Sequence, residues 1–313
     1  MRNTLQEEAE FFCRRASSNL LSIFDHVFQE SELLTKETYK EKQVNPIAGG
    51  NNRNSRQKVV VVLGSPRSGT SMTAGLLSIL GVDMGNCRKS DPENPTGYFE
   101  DSDFLSLIDE VYEAARPGSN GFHPPRIESI MAQKGCFDER IGQLVQHRLS
   151  ACRSTIWGWK AVGTSLTIDL FLPHLVNPHF VAALRHPLDT AHSVIRYSKS
   201  KFKTYEPLNL LQALAVCNLY YRHIFSFLEK HPGLPTTFVS FEETVRDPIH
   251  QARRLCHFLA LSPADGQLEA AKNFVTAKGH MTRLKLKAKG NAYLSKMFSA
   301  SIQFLGRALL IRQ

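Results

Sequence analysis

Apolar and polar positions divide the chain into three stretches. In residues 1–45, Phe12, Leu20, Ile23, Phe24, Val27 and Phe28 recur at roughly helical spacing between polar residues, which predicts a helical extension over 4–40. Residues 46–57, within "NPIAGGNNRNSRQ", are rich in Asn and Gly and poor in apolar residues, and read as a linker. From residue 58 to 313 the pattern is that of a folded domain. "KVVVVLG" (58–64) is an unbroken β-branched run, the signature of a strand buried on both faces. "TSMTAGLLSILG" (70–81) reads as a helix stopped by Gly81. "STIWGWKAV", "HFVAALR" and "TTFVSFE" read as three further strands. "TIDLFLPHL", "PLDTAHSVIRYSKS" with Pro187 in its first turn, "LNLLQALAVCNLYYRHIFSFLEKH" and a last stretch through Phe258 read as helices. Strand then helix, repeated, predicts an α/β domain with a parallel sheet covered by helices on both faces. A ligand of such a sheet lies beyond the carboxyl ends of its strands. The N-terminal helix either packs on this domain or docks a partner.

The turn after the first strand carries the first candidate chemistry. "VVVVLGSPRSGTSM" (59–72) has Gly64, Gly69 and Ser71 at the spacing of a phosphate-binding G-x-x-x-x-G-K-[ST] loop. Thr70 stands where the lysine belongs, and Arg67 lies inside the loop. Loop N–H groups and the start of a helix make an anion site. Gly69 allows close backbone approach, and Ser68, Thr70 and Ser71 add hydroxyls. A nucleoside-triphosphate enzyme of this type needs the lysine and a strand-end Asp for Mg²⁺. "HFVAALRHPLDTAHS" instead ends its strand in Arg185, with Ser193 in the helix that follows. Arg185 and Ser193 suit a second phosphate, and the pair of sites suits a nucleotide phosphorylated on both its 5′ and 3′ carbons.

Composition narrows the picture only a little. Lys and Arg number 38 against 29 Asp and Glu, a formal charge of +9, which favours an anionic ligand. At 42% hydrophobic the chain can bury a sizeable core. The six cysteines form no C-x-x-C pair and match no zinc spacing, so they read as reduced, partly buried thiols. No apolar run approaches the roughly 20 residues of a membrane span, and no basic-then-apolar leader opens the chain. The expectation is a cytoplasmic protein that does not span a membrane, holds no metal and binds no nucleic acid. The oligomeric state is not legible.

With these motifs the chain resembles the sulfotransferases that use 3′-phosphoadenosine 5′-phosphosulfate. "GSPRSGTS" is similar to their 5′-phosphosulfate loop and "RHPLDTAHS" to their 3′-phosphate element. "ENPTGYFED" and "WGWKAVGTSL" resemble segments of the bacterial-type and tyrosylprotein-type branches, although Ala161 and Val162 replace the usual Asp-Pro after the lysine. The resemblance spans about 58–260 and implies a single P-loop-like sulfotransferase domain over 58–313. It implies that Ser65, Arg67, Ser68, Gly69, Thr70 and Ser71 hold the 5′ end of the nucleotide and Arg185 and Ser193 the 3′-phosphate. Phe241 stands where relatives place a nucleotide-contacting Tyr, and Lys289 and Gly290 loosely match a C-terminal 3′-phosphate segment. The implied reaction is in-line sulfuryl transfer to a hydroxyl or amine without a metal, leaving 3′,5′-diphosphoadenosine. Arg67 and Lys160 are the expected donors to the leaving oxygen, and Glu100 or Asp101 the expected base, with His186 and His123 in reserve. Residues 112–150 and 208–228, with Tyr220 and Tyr221, are expected to line the pocket of a small-molecule, glycan or lipid acceptor. Two rivals from other classes are a non-catalytic nucleotide-binding protein of the same fold and an atypical P-loop kinase.

Overall fold

A computed structural model describes residues 57–87, 97–201 and 207–279. The expected N-terminal helix and nearly all of the linker lie outside the described residues, as do Lys289 and Gly290. The described residues form an α/β fold around a parallel sheet of four strands: β1 (Lys58–Gly64), β2 (Ile156–Lys160), β3 (Pro178–Leu184) and β4 (Thr236–Ser240). Their order is β2-β1-β3-β4, every neighbouring pair parallel. All four strands expected from the hydrophobic runs are present. Phe241 falls just past β4 and opens the next helix.

Helices α1 (Thr70–Ile79), α2 (Ser102–Ala115), α3 (Ile127–Met131) and α4 (Lys134–Ala151) lie between β1 and β2. Helix α5 (Thr164–Phe171), continued by a 3₁₀ turn to His174, leads to β3, and α6 (Pro187–Lys201) and α7 (Leu210–Lys230) lead to β4. Helices α8 (Phe241–Arg246), α9 (Pro248–Leu259) and α10 (Asp265–Gly279) follow. Helix α2 shows how the sequence builds them. Phe104, Leu107, Ile108, Val111 and Tyr112 recur on one face and are buried, and Asp101 caps the helix by accepting from the Asp103 and Phe104 N–H groups.

The core has two layers. Val60, Val62 and Val181 pack on Met72 and Leu76 of α1, Leu255 and Leu259 of α9, and Val275 of α10. The other sheet face is aromatic. Trp157 and Trp159 of β2 are fully buried. Phe104 stacks on Trp159 with ring centroids 4.2 Å apart, and Phe171 of α5 packs on the same indole. Phe180 of β3 meets Phe227 of α7 edge to face. Aromatic pairs of this kind add about 0.5–1.5 kcal/mol each beyond their area burial. The five described cysteines are free, and burial pushes the Cys217 thiol up to about 12. No helix among the described residues is long and apolar enough to cross a membrane.

Candidate functional site

The parallel sheet brings the carboxyl ends of β1, β2 and β3 together, and the candidate residues gather there. At β1 the chain turns through Gly64–Gly69 into α1. Ser165 of α5 pins the start of this turn: its hydroxyl accepts from the Gly64 N–H at 2.9 Å and donates to the Gly64 carbonyl at 3.0 Å. Ser65 and Ser68 are buried within the loop. Two residues have positive φ, Arg67 at 66° and Gly69 at 101°. A Cβ on Gly69 would lie 2.8 Å from a ring carbon of Phe241, so only glycine fits there. Gly69 caps α1 without a side-chain hydrogen bond, which leaves first-turn N–H groups for an anion. Thr70 and Ser71 begin the helix.

On the β3 side, Arg185 follows the strand and is 5% exposed. Its Nη1 donates to the Arg67 carbonyl at 3.2 Å, and its guanidinium lies 4.3 Å from the centroid of the Phe241 ring. Nε is buried without a hydrogen bond, and no carboxylate lies within ion-pair distance among the described residues. Burial therefore lowers its proton affinity, partly offset by Glu242 and Asp189 farther off. Tyr221 and Glu242 fix the backbone here, accepting from the N–H groups of Arg185 and His186 at 3.3 and 2.9 Å. Burial raises the Glu242 carboxyl and, much further, the Tyr221 phenol. Ser193 of α6 is buried and accepts from Arg67 Nε at 3.2 Å, while the Arg67 guanidinium sits 4.8 Å over the Tyr197 ring.

On the β2 side, Lys160 is 2% exposed. Register pairs it with Val62, two residues before the loop begins. Its Nζ donates to Glu100 Oε1 at 2.7 Å, to Ser71 Oγ at 3.3 Å and to the Tyr98 carbonyl at 3.4 Å. The ion pair is buried on both sides. Lys160 thus touches both the loop helix and the segment bearing the candidate base. The Ala161-Val162 departure does not turn it to solvent: Ala161 is buried, its carbonyl accepts from Thr164 N–H, and α5 starts in register. Asp101 occupies a different place. Its carboxylate is fully buried and is used on α2's first turn, on the Asn86 N–H at 3.2 Å and on Arg148.

Of the residues expected to line the acceptor pocket, Tyr220 and Tyr221 lie on α7. Tyr220 and Tyr221 are buried. The Tyr220 hydroxyl donates to the Gly121 carbonyl at 3.0 Å and meets the Tyr112 hydroxyl at 3.4 Å. Tyr220 thus meets α2 and the loop after it, while the Tyr221 hydroxyl holds the backbone of Arg185. Phe122, from the loop after α2, stacks on Tyr197 with centroids 5.3 Å apart. The sequence pattern does not single out Ser165, Tyr221 as a backbone clamp, or Arg148. For Ser165 a signal existed, since it lies five residues beyond Lys160 in the quoted "WGWKAVGTSL".

A family model described as "Sulfotransferase family" matches residues 60–265, well over half of the chain. Among solved structures, sulfotransferase STF9 from Mycobacterium avium aligns at 16% identity over 82% of this chain and 77% of its own, with a TM-score of 0.46. The sulfotransferase domain of the Synechococcus PCC 7002 olefin synthase aligns at 14% identity over 76% and 84%, also at 0.46. A mouse sulfotransferase, SULT7A1, complexed with PAP aligns at 10% identity over 80% and 75%, at 0.37. Likenesses at this level carry no argument about the site. No curated protein matches the chain.

Proposed function

We infer, from the premise that this chain belongs to the sulfotransferase family, that it moves a sulfuryl group from 3′-phosphoadenosine 5′-phosphosulfate to a hydroxyl or amine of an acceptor. The observation that carries the donor assignment is Arg185. A guanidinium that is 5% exposed, with its Nε unpaired, stands beside a phosphate-type loop with no carboxylate within ion-pair distance among the described residues, Glu242 and Asp189 acting only from farther off. A buried charge left in that state is costly until an anion completes it. A triphosphate running along the loop would leave Arg185 unmatched, whereas a nucleotide with a separate 3′-phosphate would pair it, assisted by Ser193. The loop N–H groups, Ser68, Thr70 and Ser71 would hold the 5′ end, and Phe241 would offer its ring beside them.

Bound there, the nucleotide supplies an activated sulfuryl group and a phosphate leaving group. The chain's own residues do the rest. Lys160 and Arg67 supply fixed positive charge toward the oxygen on which negative charge grows. Glu100 takes the acceptor's proton. Neutralising Glu100 frees its partner Lys160 from the 2.7 Å pair, so proton uptake and charge stabilisation are linked in one contact. Asp101 is left to cap α2, so of the two neighbouring carboxylates Glu100 is the candidate base. The acceptor class is a hydroxyl- or amine-bearing small molecule, glycan or lipid.

Titration calorimetry of the full chain with 3′,5′-diphosphoadenosine, AMP and ATP tests the reading. Tight binding of the bisphosphate alone is the expected outcome. ATP bound as tightly, with Mg²⁺ increasing its affinity, would move the chain to the kinase reading.

A further inference from the structure

A charged cluster centred on Arg148, which belongs to none of the motifs, lies behind Glu100. Arg148, near the end of α4, has a side chain 13% exposed. It reaches two carboxylates at once, Asp83 Oδ1 at 3.5 Å and Asp101 Oδ2 at 3.6 Å, with its guanidinium 5.6 Å from the Trp157 ring centroid. Asp83 follows α1, and Asp101 precedes α2. Burial opposes ionisation of Asp83, but the Gly85 N–H, the Cys152 thiol and Arg148 together hold its carboxyl below the usual range. Asp101 is fully buried, and Arg148 is its only ion-pair partner among the described residues. The fit is close: at Gly85, φ +80°, a Cβ would come within 1.8 Å of Asp101 Oδ2 and 2.9 Å of Arg148 Nη2.

What this clamp holds is the turn that presents the base. Asp101 bridges to Cys87, Ser102 N–H donates to the Asn86 carbonyl, and Asn86 N–H donates to Asp101 Oδ2. Glu100 is the next residue back. The turn before it is strained at Phe99, with φ +53°, two residues after Gly97 takes φ +93° without cost. A non-glycine residue held in that region costs on the order of 1–3 kcal/mol and persists only where its surroundings fix it. Lys160 Nζ touches this turn twice, at the Tyr98 carbonyl and the Glu100 carboxylate. A displacement of the turn therefore moves the base and the Lys160 contact together.

We propose that Arg148 is a positioning residue for sulfuryl transfer: by clamping Asp83 and Asp101 it fixes the strained Tyr98–Asp101 turn that presents Glu100 to Lys160. The proposal rests on Glu100 being the base. Arg148 lies on the β2 flank, away from Arg185 and Ser193, so its effect falls on rate and not on nucleotide affinity.

A double-mutant cycle on the full chain tests it, with 3′-phosphoadenosine 5′-phosphosulfate as donor and 4-nitrophenol as acceptor probe. Arg148→Met keeps much of the stem and removes the charge. It should lower kcat on the order of 10–100-fold, as loss of positioning does, and leave the 3′,5′-diphosphoadenosine dissociation constant within about twofold. In the free protein, hydrogen–deuterium exchange should rise at 83–87 and 97–104 but not at 64–71. Combined with Glu100→Gln, it should slow the reaction no further than Glu100→Gln alone. Arg148→Lys, which keeps the charge, should recover part of the rate, and it carries the same cycle if Arg148→Met does not fold. Losses that multiply in the double variant, or exchange that rises equally at 64–71, would overturn the positioning role. Wild-type turnover in Glu100→Gln would remove the base assignment itself, and with it this inference; the single variant reads that failure separately.

Discussion

Replacing Arg185 by Met removes one charge and little volume, and its consequence can be worked from the contacts. Among the described residues the guanidinium makes one hydrogen bond, to the Arg67 carbonyl, and lies over the Phe241 ring. It is 5% exposed and its Nε has no partner. Met keeps the apolar stem and the contact with Phe241, and the burial that lowers the arginine's proton affinity disappears. Stability of the free protein should therefore fall by no more than about 1 kcal/mol, the net worth of one hydrogen bond. Binding behaves differently. A charge-assisted contact to a 3′-phosphate is worth about 1.5–3 kcal/mol, which converts to roughly 10- to 200-fold in dissociation constant. AMP, which lacks that phosphate, should weaken by less than about threefold on the same scale. Calorimetry with 3′,5′-diphosphoadenosine and AMP on both proteins, beside urea unfolding, reads all of these quantities. Equal weakening of the two nucleotides would show that Arg185 serves the loop and not a separate phosphate. Lower stability without nucleotide discrimination would make it a structural residue.

Two further outcomes follow from the other flank and from the loop. Lys160→Ala should lower kcat by about 10²–10³-fold, as for removal of one donor to a developing oxyanion, with a small change in nucleotide affinity; near-wild-type turnover would leave Arg67 as sole donor. Gly69→Ala should destabilise the fold by about 1–2 kcal/mol because of its φ of +101°. It should also weaken nucleotide binding, since the new Cβ meets Phe241; unchanged stability in urea unfolding would show that the loop relaxes around it.

Legibility in the sequence depended on how local each determinant is. The uninterrupted "VVVV" run and the strand-end position of Arg185 are local, and both strand and residue stand where the pattern placed them. The order β2-β1-β3-β4 is set by long-range pairing and was not readable beyond its parallel sense. Neighbouring carboxylates illustrate the limit at the site. Glu100 and Asp101 differ by one position, and only the start of α2 decides that Asp101 caps the helix while Glu100 meets Lys160. Consecutive Tyr220 and Tyr221 pose the same problem on α7, where both are buried but Tyr220 meets Tyr112 and Gly121 while Tyr221 holds the Arg185 N–H. Arg148 carried no signal, because it belongs to no motif and its partners Asp83 and Asp101 are far from it in the chain.

The aromatic layer on β2 makes the protein its own optical probe. Trp157 and Trp159 are the only two tryptophans in the sequence. Both are fully buried on the strand that ends in Lys160, and both pack on Phe104, three residues into the helix that Asp101 caps. Ultraviolet excitation of the indoles therefore illuminates one flank of the molecule and no other. Emission from that flank reports the seating of α2 against β2, next to the Lys160–Glu100 contact, without a label or an inserted residue. A change in emission on adding a ligand would therefore report movement of α2 against β2 beside Lys160.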